Sequence, residues 1–379
     1  MLPRVLQRYR LPSAITSVAL GVAAGLGLGL FLQDRTVGLL AVLGIVSLFL
    51  FAGLEVDFSE LGREARVLVQ HLALGVAALL GMAMAIQPIL GLAWRPAMLV
   101  ALALLTPSTG FILDSLASLH LTQTDRFWIK SKVVATELVA LAVLFATLQS
   151  ATLRGLAGST LALAAMVVFL PMAFRVFALR IAPYAPKSEF AFLLMLAILC
   201  AFLTRRLGLY YLVGAFIVGI AAQRFQERLP ALASQQMLHA VEVFASFFIP
   251  FYFFNAGLHL RRDDFGASAL RMGGAFLLAA IPLRIALVAI HRRLALKEAF
   301  PNGVRIGVAM LPTLVFTLVI AEILRDQFTV QRSIFGGLII YTLANTLIPG
   351  LALRLPPPEF HVRHASELEA PRAEYQDRS

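Results

Sequence analysis

Cysteine is nearly missing from this chain: one residue, Cys200, among 379. It lies inside an apolar run, which excludes an intrachain disulfide framework and a cysteine metal site. Charge is scarce as well. Only 14% of residues are charged against 60% hydrophobic, a balance that excludes an ordinary soluble domain. The seven histidines show no H-x-x-x-H pair, no segment matches G-x-x-x-x-G-K-[ST], and no Ser/His/Asp set can be assembled. Neither an enzyme nor a bound cofactor is expected. The net charge of +11 does not point to nucleic acid, because the 32 basic residues fall mostly in short gaps between apolar runs, without interleaved aromatics.

What is abundant is apolar segments of membrane-spanning length. A hydrocarbon core of roughly 30 Å needs about 20 apolar residues per helix. By that measure twelve spans are expected, at about 13–32, 36–57, 67–90, 97–119, 128–150, 158–180, 188–204, 207–223, 236–259, 268–290, 301–324 and 333–354. The basic start "MLPRVLQRYR" leads into the first span and onward to others, so it reads as a first helix rather than a cleaved signal. With the N-terminus inside, the inner loops and flanks hold twenty Lys and Arg, Lys132 and Arg292 among them, against ten outside. That asymmetry places both termini in the cytoplasm of a cell with an inner membrane. After Leu355 the composition turns polar and proline-rich, so residues 356–379 read as a disordered cytoplasmic tail, and 1–355 as one transmembrane domain.

Two spans carry helix breakers. "LLTPSTGFILDSL" (104–116) interrupts span four, and "MLPTLVFT" (310–317) interrupts span eleven. Broken backbone leaves N–H and C=O groups unpaired in a bilayer at several kcal/mol each, and survives only where protein or water supplies partners. Spans four and eleven, seven helices apart, run in opposite directions. Residues 67–150 and 268–354 are therefore expected to form inverted repeats whose broken helices cross at midplane around a small ion, the arrangement of a secondary transporter. The fold class expected is an all-α polytopic membrane protein.

Ionisable residues inside spans are functional candidates with a partner to be named. Glu137, in "KSKVVATELVALAVLF", lies roughly 13 Å into span five at about 1.5 Å per residue, too deep to snorkel. Arg284, in "AAIPLRIALVAIHRR", lies deep in span ten and is the expected electrostatic partner. Either a permanent ion pair registers the two repeats, or Glu137 is neutralised in turn by a proton and by a cation. One carboxylate that never holds both is an exchange site.

"VSLFLFAGLEVDFSEL" (46–61), "RRLGLYYLVGAFIVGIAAQ" (205–223) and "FASFFIPFYFFNAGLHL" (244–260), in that order and with both interruptions, resemble signature stretches of the cation:proton antiporter superfamily, especially its Kef-type and Nap-type branch. The resemblance implies a dimerising panel domain, a core domain with crossed broken helices, and elevator-like alternating access. It places Glu137 at the essential carboxylate, Arg284 at the basic residue of span ten, Thr106, Ser108 and Thr109 on the first crossing with Pro107 and Gly110, and Pro312 and Thr313 on the second. The chain departs from the pattern in having Glu for Asp, and in carrying neutral Thr136 before it where the family has Asn, Gln or Asp. A single carboxylate implies an electroneutral exchange of one Na⁺ or K⁺ for one proton.

Asp114, one turn past Gly110, is a further candidate for the ion path or a helix cap. Asn255 reads as a packing residue, Arg175 as a snorkelling one, and Gly21, Gly25 and Gly29 as a close-approach face within the protomer or at a homodimer interface. The expected partners are a monovalent cation, a proton, the bilayer and a second copy of the chain. The alternatives are a sodium-coupled organic-anion symporter, which needs a roomier cavity and more carboxylates, and a transport-incompetent sensor or channel on the same scaffold.

Overall fold

The computed structural model describes residues 12–56, 62, 65–110, 112, 122–150, 153–185, 188–207, 211–228 and 235–353. Among these, thirteen α-helices run in the order α1 (Ser13–Val22), α2 (Arg35–Leu54), α3 (Ala65–Leu90), α4 (Trp94–Leu105), α5 (Gln123–Gln149), α6 (Leu153–Val176), α7 (Glu189–Arg206), α8 (Tyr211–Arg228), α9 (Gln235–Leu258), α10 (Ala267–Ala295), α11 (Phe300–Ala309), α12 (Leu314–Phe328) and α13 (Arg332–Ala352). No strand occurs among the described residues.

Local chemistry sets several of the ends. Asp34 caps α2 by accepting from the Thr36 and Val37 N–H groups at 2.8 and 3.0 Å. Thr122 caps α5, accepting from Asp125 N–H at 3.1 Å. Expected span one stops short: α1 passes into a π-helical turn at Ala23–Gly27, and Gly29 at φ +65° turns the chain away. Among the described residues seven helices are long and apolar enough to cross a membrane, against the twelve spans expected, and α11 and α12 meet that measure only together, bent by 54° at their break. The helices Ser13–Gly27, Trp94–Leu105 and Leu212–Phe225 are apolar but shorter. Span four is shortened because α4 ends at Leu105, where "TPS" takes the chain out of helix until Thr109.

The helices pack mainly in two groups. One gathers α1, α2 and α6 to α9, and the other gathers α3 to α5 and α10 to α13. In the first group the backbones approach closely: a Cβ on Gly21 of α1 would land on the Phe254 carbonyl oxygen of α9, and one on Gly257 of α9 would land on the Val18 carbonyl oxygen. The close-approach face of α1 is thus spent inside the protomer at Gly21 and Gly25, whereas Gly29 has nothing near it. Large apolar side chains point outward along α6 and α7, among them Val168, Phe169, Met172 and Leu199, as a lipid-facing surface requires.

Two residues counted as loop or flank charges lie in the interior. Lys132 is on α5 and Arg292 on α10, and both are buried. Arg292 lies between two carboxylates, pairing with Asp125 of α5 and, at 2.6 Å, with Glu298, which also accepts from Asn302 of α11 at 2.9 Å. Lys132 bonds the His291 Nδ1 at 3.1 Å. Two carboxylates compensate the buried Arg292 charge and an imidazole nitrogen accepts from Lys132, and hydropathy carries no trace of either.

Candidate ion-exchange site

The two interruptions meet. At the first, the Ser108 N–H donates to the Pro312 carbonyl of the second at 2.8 Å, and the Ser108 Oγ accepts from the Val315 N–H at 3.1 Å. Helix α12 has no side-chain cap from its own Thr313, so its second N–H is capped by a residue 207 positions away in sequence.

Several of the carbonyls freed at the two breaks find donors elsewhere in the protein. At the end of α4, the Leu102 carbonyl accepts from Thr106 N–H at 3.0 Å, Ala103 from the Thr317 hydroxyl at 2.7 Å and Leu104 from the Tyr341 hydroxyl at 2.6 Å. After α11, the Met310 carbonyl accepts from the Arg284 guanidinium at 2.7 Å, and the Leu311 carbonyl accepts from it as well. Irregular backbone at membrane depth is stable here because protein donors replace the missing helical ones.

Glu137 comes to the first break. Its carboxylate accepts from the Thr109 hydroxyl, and the acid is only 6% exposed. Along that break Thr106, Pro107, Ser108 and Thr109 are all buried, and Gly110 is half-buried. Thr136, its neighbour on α5, donates its own hydroxyl to the Lys132 carbonyl at 2.7 Å. Thr106, Pro107, Thr136 and Arg284 share the wall of a cavity of about 90 Å³, with His71 of α3 and otherwise apolar side chains. By volume the cavity has room for several waters, and Thr136 brings its wall to the residue next to Glu137.

Arg284 does not pair directly with the acid. Its donors go to Met310 O, Leu311 O and, at 3.3 Å, the Tyr341 hydroxyl. The physical reason is the C-terminal end of α11, where unpaired carbonyls and the negative pole of the helix dipole offer a cation a partner as good as a carboxylate. Asp114 lies outside the described residues. Asn255 accepts at its backbone carbonyl from His259, and Arg175 is exposed on the last turn of α6.

Three residues of α13 went unnoticed in the sequence: Tyr341, Thr342 and Asn345, on one helical face and all 0% exposed. Tyr341 links Arg284 to α4, while Thr342 and Asn345 bond the Thr313 hydroxyl at 3.1 and 3.0 Å. The available signal was their i, i+1, i+4 spacing in an otherwise apolar span. His71 and His291, with ring centroids 5.2 Å apart, are likewise visible only in three dimensions.

Paired interrupted helices joined at their breaks, with one acid held beside them in an all-helical membrane protein, define a secondary-transporter scaffold. The chain belongs to the sodium/hydrogen exchanger family: residues 1–356 match the family described as "Sodium/hydrogen exchanger, transmembrane". It is 24% identical over 373 residues to "Probable Na(+)/H(+) antiporter 3" of Methanocaldococcus jannaschii, covering 93% of this chain and 92% of that one. Its fold is similar to that of the sodium proton antiporter MjNhaP1 of the same organism at pH 8, with a TM-score of 0.69 at 13% identity over 93% of this chain and 94% of that one. An electron-microscopy structure of MjNhaP1 gives 0.65 at 16% identity, covering 93% and 91%.

Proposed function

We propose that the protein is a transporter, not an enzyme, exchanging Na⁺ for H⁺ by alternating access, with Glu137 as the group that holds one or the other. The observation that carries this reading is the Thr109 hydroxyl on the Glu137 carboxylate at the first break, in a member of the sodium/hydrogen exchanger family. A cation replacing the proton would find oxygens of Thr106, Ser108, Thr109 and Thr136 close by, and hard oxygen donors suit a small monovalent ion. Asp114 is a further candidate on the same path. Arg284 contributes positive charge near the cavity, which favours release of the bound cation. With one carboxylate and neutral Thr136, each cycle moves one charge in each direction, and exchange is electroneutral.

The helix group α3 to α5 with α10 to α13 fits a moving core domain, its halves 67–150 and 268–354 serving as inverted repeats. The group α1, α2 and α6 to α9 fits a static panel through which two copies associate. The cell (inner) membrane is the location this reading implies, and the Lys and Arg asymmetry, with Lys132 and Arg292 set aside, supports both termini in the cytoplasm. Family membership does not favour organic-anion symport, and the cavity's size supports a small ion as cargo.

The test uses proteoliposomes with a preset pH difference and an internal pH dye. Added Na⁺ is expected to collapse the gradient in the wild type and not in Glu137→Gln, with Li⁺, K⁺ and an organic anion as comparison arms. Full activity in Glu137→Gln, or collapse driven only by the organic anion, would overturn the reading. A charge-carrying current on solid-supported membranes would reject electroneutrality alone.

A further inference from the structure

Pro312 and Thr313 mark the second break, and on the sequence alone the Thr313 hydroxyl is an obvious oxygen for a cation. Its bonds leave it no capacity for one. A threonine hydroxyl offers one proton and two lone pairs. Asn345 Nδ2 donates to Thr313 Oγ1 at 3.0 Å, which occupies one lone pair. Thr317 Oγ1 lies 2.8 Å from Thr313 Oγ1 and 2.7 Å from the Ala103 carbonyl. Thr317 is the donor in both contacts, its single proton shared between the Ala103 carbonyl and the second Thr313 lone pair. Thr342 Oγ1, at 3.1 Å, is then left to accept the Thr313 proton. One closed network results, in which Thr313 accepts from Asn345 and Thr317, donates to Thr342, and is tied through Thr317 to a carbonyl at the end of α4. Thr313, Thr317, Thr342 and Asn345 are all fully buried, so no water competes for these bonds.

The network joins α13, α12 and α4, the last being the helix that leads into the first break. The two bonds between Ser108 and the second break complete the loop. Thus Asn345 touches neither Glu137 nor Thr109, yet it fixes the second break against which the first break, with Thr109, is seated. We infer that Thr313 is the saturated hub of the crossing and not a cation ligand, and that Asn345 is a positioning residue for cation binding at the first break. This rests on the exchange reading given above.

The alternatives are separable because a ligand and a hub respond oppositely to the loss of Asn345. In a ligand, Asn345→Ala frees a lone pair and leaves sodium binding unchanged or tighter. In a hub it loosens the break as much as removing the Thr313 hydroxyl does. The measurement is the half-saturating Na⁺ concentration against the maximal rate in proteoliposomes, for Thr313→Ser, Thr313→Val, Asn345→Ala and the near-isosteric Thr342→Val. Thr313→Ser is expected to match the wild type. The other three are expected to raise half-saturation about fivefold, the equivalent of one neutral hydrogen bond, with a smaller change in maximal rate. Sodium-induced thermal stabilisation in detergent reports the same half-saturation without requiring exchange, so a protein that binds sodium but does not exchange it refutes the transport reading and still tests this one. Wild-type half-saturation in Asn345→Ala or, where that variant does not fold, in Thr342→Val, with a large rise in Thr313→Val, would make Thr313 a ligand and overturn the inference. Wild-type values in all four would also overturn it.

Discussion

Ser108→Ala isolates the contact that ties one interrupted helix to the other. The substitution keeps the backbone bond from Ser108 N–H to the Pro312 carbonyl and removes only the Oγ that accepts from Val315 N–H. Replacing a Ser cap by Ala costs about 1 kcal/mol in ordinary helices, and about 2 where the cap matters most. Here no other cap serves α12, and Ser108 is 2% exposed, so water cannot substitute and the orphaned N–H adds to the loss. An unsatisfied buried donor costs about 1–3 kcal/mol, which places the total near 2. In detergent the thermal midpoint is expected to fall by a few degrees, and Ser108→Thr, which retains the hydroxyl, by less. Because the first break also carries Thr109, the half-saturating sodium concentration should rise with the loss of stability. A Ser108→Ala protein that melts and saturates like the wild type would show that the cross-break cap does not hold the site together.

Gly21→Ala is expected to lower the thermal midpoint, because its Cβ meets the Phe254 carbonyl oxygen and α1 must move off α9, an overpacking cost of about 1–3 kcal/mol; a wild-type melt would show that the two helices part freely. Arg292→Met leaves Asp125 and Glu298 without their shared cation and is expected to cost roughly 3 kcal/mol, much of it recovered when Asp125→Asn is added, in a double-mutant cycle read by thermal unfolding. Tyr341→Phe removes the donor to the Leu104 carbonyl and a contact of Arg284 at constant shape, so a loss of about 1–2 kcal/mol is expected by the same measurement.

The residues legible in the sequence were those that violate the lipid environment in isolation. "TPSTG" and "LPT" stand out because each sets a proline among hydroxyl residues in an apolar run, and Glu137 because a lone acid in an apolar run needs a reason to be there. Tyr341, Thr342 and Asn345 did not stand out, since a hydroxyl or an amide in a spanning helix is common and its partner lies on another helix. Arg284 was matched with the only deep acid in reach of a charge-to-charge reading. The structure instead gives its donors to the Met310 and Leu311 carbonyls, groups that exist in every residue and become acceptors only where a helix ends. Lys132 and Arg292 were misplaced for a related reason: hydropathy sees a charge but not the carboxylates that pair with Arg292 or the imidazole that accepts from Lys132.

By itself, then, the sequence determined the solvent the protein lives in, the all-helical class, the two breaks and the single deep carboxylate, because each follows from local composition and backbone chemistry. Which groups meet at those breaks was decided only by tertiary structure. A hydrogen bond has a range of about 3 Å, and it can join Ser108 to Val315 or Asn345 to Thr313 only after packing has brought distant helices side by side.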